Sequence, residues 1–173
     1  MNFNLAHSIS ILTATPRVIR AILQDLPPEW IMCNEGEQTW SPFDVVGHLI
    51  HGERTDWIPR LKIILKFGEA QPFQPFDRFA QMAASKDRTL AELLDTFERL
   101  RSDNIQELRE MKLDSEDLRK RGKHPELGVV TVEELIATWV VHDLDHLGQI
   151  TRTMAKQYLE TVGPWRAYLS ILK

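Results

Sequence analysis

Residues 131–158 read TVEELIATWVVHDLDHLGQITRTMAKQY. Thr131 is a helix N-cap, and Glu134 three residues later completes a capping box by reaching back to the cap. From there Leu135, Trp139, His142, His146, Ile150 and Thr153 recur in steps of three and four, so they share one face of a helix. The spacing predicts a helix from Thr131 to about Tyr158, with two histidines on its core-facing stripe.

Working outward, the same punctuation recurs. Ser41 is an N-cap, Pro42 suits the first helical position, and Asp44 answers the cap, starting a helix that continues toward Phe67. Pro59 inside it predicts a kink, and Gly68 a stop. Thr89 with Glu92 opens a third helix to about Met111, carrying Leu90, Leu93, Leu94, Phe97, Leu100, Ile105 and Leu108 on one face. A first helical segment covers about Asn4 to Leu26. Pro16 predicts a kink there or a new start with Thr15 as cap, and Pro27-Pro28 ends the segment. Gly163-Pro164 separates a short C-terminal helix that ends near Ile171. Sustained apolar–polar alternation is nearly absent, so the sheet signal is weak. The expectation is an all-α protein, a four-helix bundle with a short extra C-terminal helix, residues 1–173 forming one domain.

Composition narrows the function. The 173 residues are 43% hydrophobic and 27% charged, a globular profile of about one domain. With 21 Lys+Arg against 25 Asp+Glu the net charge is −4. A basic stripe of the kind that neutralises phosphates is missing, because Arg119, Lys120, Arg121 and Lys123 directly follow Asp114, Glu116 and Asp117. No apolar run is long enough for a membrane span, and MNFNLAHSIS does not read as a signal peptide. The single cysteine, Cys33, forms no internal disulfide. The expectation is a cytoplasmic protein that binds neither nucleic acid nor membrane.

The chemistry centres on His142 and His146. Four residues apart on a helix, they stand one above the other with Cβ atoms about 5–6 Å apart, close enough for two imidazoles to converge on one ion. The zincin helix motif has this spacing but a Glu after its first His; Asp143 stands there instead. Buried imidazoles need a hydrogen bond or a metal, since leaving one unpaired costs about 1–3 kcal/mol. A third ligand must come from another helix. His48 shares a face with Val45, Leu49 and Gly52, and His51 lies about a sixth of a turn to one side, so periodicity leaves both open. His7, His124, Cys33 and Glu53 are further candidates, with His124 reading as a turn residue beside Pro125.

Trp40-Ser41 followed by His48-Leu49, and later His142-x-x-x-His146-Leu147-Gly148-Gln149, resemble the DinB-like (DinB/YfiT-like) family. Thr15-Pro16-Arg17, Leu26-Pro27-Pro28-Glu29-Trp30 and His124-Pro125-Glu126-Leu127-Gly128 extend the resemblance over nearly the whole chain. It implies an up-down-down-up four-helix bundle, usually dimeric. It also implies a divalent metal, nickel or zinc, held by three histidines, which by motif position are His48, His142 and His146. Some members are thiol S-transferases for bacillithiol, mycothiol or glutathione, and one is a maleylpyruvate isomerase.

Three imidazoles leave such an ion an open position, unlike a closed four-ligand zinc site. Water or a thiol placed there loses its proton more readily. Glu53, Asp143 and Gln149 are candidates to hydrogen-bond the ligand imidazoles. Their ordinary alternatives are a solvent-facing glutamate, an ion-pair partner and a packing or capping contact. Trp57 and Trp139 read as core aromatics. Three functions follow: transfer of a small thiol to an electrophilic small molecule, metal-dependent hydrolysis, or a non-enzymatic domain whose metal holds the bundle or a homodimer together.

Overall fold

The computed structural model describes residues 2–173. Helix α1 (Leu5–Leu23) is capped by Asn4, whose side chain accepts the His7 N–H. Pro16 lies inside this helix and neither ends nor restarts it. A proline has no N–H for the carbonyl four residues back, here Leu12. Arg101 fills that gap: its Nη1 donates to the Leu12 carbonyl at 2.8 Å. The helix survives its proline because a side chain from another helix satisfies the orphaned acceptor.

After the single turn α2 (Pro28–Ile31), α3 (Pro42–Thr55) starts at the Ser41–Asp44 capping box. It breaks at Asp56 and resumes as α4 (Trp57–Phe67). Pro59 explains the break, since its ring crowds the Thr55 carbonyl and it offers that carbonyl no donor. A short α5 (Ala80–Ser85) leads to α6 (Leu90–Glu110), opened by the Thr89–Glu92 capping box. The turn α7 (Ser115–Arg119) precedes β1 (Arg121–His124) and β2 (Gly128–Thr131), an antiparallel hairpin. Helix α8 (Val132–Lys156) follows, capped by Thr131 with Glu134. Each such cap contributes about 1 kcal/mol. The extra C-terminal helix is two 3-10 segments, Gly163–Tyr168 and Ser170–Leu172. The hairpin is the one departure from all-helical structure among the described residues.

Side-chain pairs give the helix directions. Arg20 bonds Asp95 and Glu98, while Arg101 reaches back to Leu12, so α1 and α6 are antiparallel. Lys62 of α4 pairs with Glu107, and Val45 and Val46 pack with Leu93 and Leu94, so the α3–α4 rod runs parallel to α6. His48 meets His142, and Glu53 meets Trp139, so α3 and α8 are antiparallel. The result is an up-down-down-up four-helix bundle, with α1 and α3 on opposite corners and α6 and α8 between them.

Two apolar clusters fill the bundle. One gathers Leu12, Leu61, Ile105, Leu108, Ile136 and Trp139. The other gathers Ile19, Leu23, Val46, Leu49, Phe97 and Ile150. Each fully buried Leu or Ile side chain stabilises by about 1.5–3 kcal/mol. Gly122 lets the hairpin lie directly on α4, since a Cβ there would sit 2.6 Å from Ile64 Cγ1. No helix among the described residues is long and apolar enough to cross a membrane.

Candidate metal centre

The three histidines chosen by motif position meet on the inner faces of α3 and α8. His48 Nε2 lies 3.1 Å from His142 Nε2, which lies 3.1 Å from His146 Nε2. Each can offer one nitrogen within 4.8 Å of the others, the one such grouping of His, Cys, Asp or Glu among the described residues. His48 and His146 are buried and His142 is half-buried. His51 does not join them; its ring packs against Phe76 at 4.9 Å. His7 is exposed, and the Cys33 thiol donates to the Trp30 carbonyl.

Burial, reinforced by the neighbouring imidazoles, pushes His48 and His142 down to about 3. Burial also lowers His146, against the opposing pull of Gln149. All three rings are therefore neutral near pH 7, the state in which imidazole offers a lone pair to a metal. His146 Nδ1 donates to Gln149 Oε1 at 2.8 Å, which puts its proton on Nδ1 and leaves the Nε2 lone pair facing His142. Lone pairs so close repel one another unless a proton or a cation lies between them. Nitrogens held by one ion at about 2.0–2.1 Å each are forced to this separation, so the donor set fits a divalent metal. Trp40 packs on His48 with ring centres 4.7 Å apart, and the edge of Trp57 meets His142 at 5.1 Å.

The other candidates separate. Gln149 touches a candidate ligand, as above. Glu53 and Asp143 touch no imidazole ring and converge on Arg101 instead. Asp143 Oδ2 and Oδ1 accept from Arg101 Nη1 and Nη2 at 2.6 and 2.9 Å, and Glu53 Oε1 accepts from Nη2 at 2.8 Å. Asn104 and the Trp139 indole complete the Glu53 carboxylate. Burial pushes Glu53 up, against the downward pull of Arg101. Glu53, Arg101, Asp143 and Trp139, each at most 2% exposed, lock α3, α6 and α8 together beside the imidazoles. The apolar stripe of α6 carries its own signal, since Arg101 falls between Phe97 and Ile105 in helical steps.

The imidazoles open onto a cavity of about 540 Å³. Trp40, Trp57, Phe73, Phe76 and Leu135 supply apolar walls, while Arg60, Arg78 and His124 line it as well. Trp57 thus both packs in the core and faces this space. Arg60, Arg78 and the cavity role of His124 have no signature in the sequence, because the broken helix, the following loop and the hairpin meet only in the fold. Phe73 N–H donates to the Lys123 carbonyl at 2.9 Å, tying that loop to the hairpin.

The family profile of the DinB superfamily matches residues 11–150, a span containing all three histidines and Arg101. The chain belongs to the DinB superfamily. Among solved structures this DinB chain is similar to YfiT from Bacillus subtilis, described as a probable metal-dependent hydrolase with an unusual four-helix bundle topology. The two share 21% identity at a TM-score of 0.75, covering 88% of this chain and 86% of that one. At that identity the likeness establishes the DinB bundle and its topology. No curated protein matches.

Proposed function

We propose that this DinB protein is a metal-dependent enzyme in which His48, His142 and His146 hold one nickel or zinc ion. A low-molecular-weight thiol is transferred to a small electrophile in the adjoining cavity. One observation carries the reading: three neutral imidazoles converge at the wall of a substrate-sized cavity, and no fourth His, Cys, Asp or Glu of the described residues joins them. When bound, the dication supplies the charge that lowers the pKa of a thiol or water set against it.

The chain's own residues do the rest. The imidazoles stay neutral, Gln149 holds the His146 ring, and the aromatic walls offer apolar surface beside the reacting groups. Glu53 and Asp143 are spent on Arg101, and Glu134 on its capping box, whereas Glu126 of the cavity lining has no such partner among the described residues. A thiol is far more acidic than water and so gives up its proton more readily, which favours it as the nucleophile. Hydrolysis is the second reading, favoured by the description of YfiT as a probable metal-dependent hydrolase.

Cobalt-substituted protein titrated with glutathione, bacillithiol or a simple thiol distinguishes these. A sulfur-to-cobalt charge-transfer band should grow in the wild type and be absent in His146→Ala. A spectrum unmoved by thiols but changed by acetate or phosphate would reject transfer in favour of hydrolysis. A spectrum unmoved by every ligand would make the metal structural.

The protein also assembles, on this proposal, as a homodimer. Ile11 of α1 and Val141 of α8 are exposed and line one shallow groove, with Val18 and Leu144 exposed on the same two helices. Light scattering should give a mass of twice 20.1 kDa at micromolar concentration, and a single-chain mass would refute the dimer.

A further inference from the structure

Besides the imidazoles, the cavity lining has a second polar group. Arg60 is buried, 8% exposed, yet only part of its guanidinium is engaged. Its Nε faces the Asp56 carboxylate, and its Nη2 lies 3.5 Å from the Gln74 carbonyl. Nη1 donates to no acceptor among the described residues. Beside it stands His124 at the end of β1. The backbone N–H groups of Glu126 and Leu127 both donate to His124 Nδ1, each at 3.2 Å. A nitrogen that accepts carries the lone pair, so the proton of the neutral ring is on Nε2. The turn therefore fixes His124 as a hydrogen-bond donor. Phe73 holds the two together: the Arg60 guanidinium lies 5.1 Å over its ring, and His124 meets it edge-on at 6.1 Å.

We propose that Arg60 and His124 form a carboxylate-binding pole of this cavity, and that its ligand is a small carboxylic acid with an apolar, often aromatic, body. A guanidinium edge matches the two oxygens of a carboxylate, and Nε2–H adds a third donor. Asp56 takes the Nε side of Arg60 and orients it, leaving the Nη side for a ligand. Arg78 adds a cation to the same lining and Glu126, two residues from His124, a carboxylate. Trp57, Phe76 and Leu135 offer the surface for an apolar body, and about 540 Å³ lies within the usual range of small-molecule sites. The three imidazoles line the same cavity. The substrate assignment rests on the cavity being the reaction chamber of that centre.

The test is calorimetric titration of the full chain, metal-loaded and chelator-stripped, with phenylacetate and its neutral isostere phenylacetamide. Phenylacetate should bind both forms, at least tenfold more tightly than the amide. Arg60→Met should weaken phenylacetate at least tenfold. His124→Asn should weaken it several-fold, since asparagine can still accept the turn's N–H groups but lacks the Nε2 donor. Both variants should keep the wild-type metal content. His124 is only half-buried, so its variant keeps the test decisive if Arg60→Met folds poorly. The proposal is overturned if phenylacetate does not bind, if the amide binds as tightly, or if both substitutions leave affinity unchanged. It is equally overturned if binding needs the metal and vanishes in His146→Ala. A wild type that takes up no metal would reject the metal reading and leave the carboxylate result standing.

Discussion

Replacing Arg101 by Met keeps the length of the buried stem but removes four hydrogen bonds, one to Leu12, two to Asp143 and one to Glu53. Breaking a buried ion pair by removing one partner costs about 3–5 kcal/mol. Here two carboxylates and a helix carbonyl lose their donor at once, which puts the loss toward about 5 kcal/mol at neutral pH. That is a large part of the roughly 5–15 kcal/mol that holds a typical domain together. The pH dependence marks the mechanism. Without Arg101, the downward pull on Glu53 is gone and burial holds its folded-state pKa further above its unfolded value. The folded variant then binds more protons than its unfolded chain, so its deficit against wild type narrows as pH falls, by up to about 1.4 kcal/mol per unit. Urea unfolding of the metal-free proteins, followed by tryptophan fluorescence at pH 7.5 and 5.5, reads both effects. Adding Glu53→Gln and Asp143→Asn to the variant should recover much of the loss. A deficit below about 1 kcal/mol, or one that is the same at both pH values, would refute the cluster's role as the clamp between helices.

Two further outcomes follow from the geometry. His48 and His142 sit at about 3 in the folded chain, well below their ordinary value of 6.5. Below pH 6.5 the unfolded chain binds more protons, so metal-free stability should fall with pH by up to about 1.4 kcal/mol per unit for each ring, and His142→Ala should flatten the slope in urea melts. Gly122→Ala should cost about 1–3 kcal/mol in thermal unfolding by driving a Cβ into Ile64 Cγ1. Equal stability of wild type and Gly122→Ala would contradict the close packing of hairpin on helix.

The four long helices are legible in the sequence because their signals are local. Ser41, Thr89 and Thr131 each meet an acidic residue three positions on, and the structure places all three capping boxes there. As a new helix start, Pro16 misleads for the opposite reason. The Leu12 carbonyl it leaves without a donor is taken by Arg101, 89 positions further along, which no local rule can see. The hairpin escapes notice because strands of four residues are too short to display alternation. At the site, helical spacing pairs His142 with His146, but it cannot separate His48 from His51. Only packing does so: one ring points at His142 and the other at Phe76. Arg101 within an apolar stripe, with Asp143 on the inner face of α8, was readable as a buried pair. The Arg60–His124 pole was not, because it forms where a loop brings a hairpin and a broken helix together.

The most direct test of the central claim is elemental analysis of purified wild type beside single histidine variants. The account predicts about one nickel or zinc per chain in the wild type, none in His142→Ala or His48→Ala, and wild-type content in His51→Ala and His7→Ala. Metal retained in His142→Ala, or lost in His51→Ala but kept in His48→Ala, would contradict it.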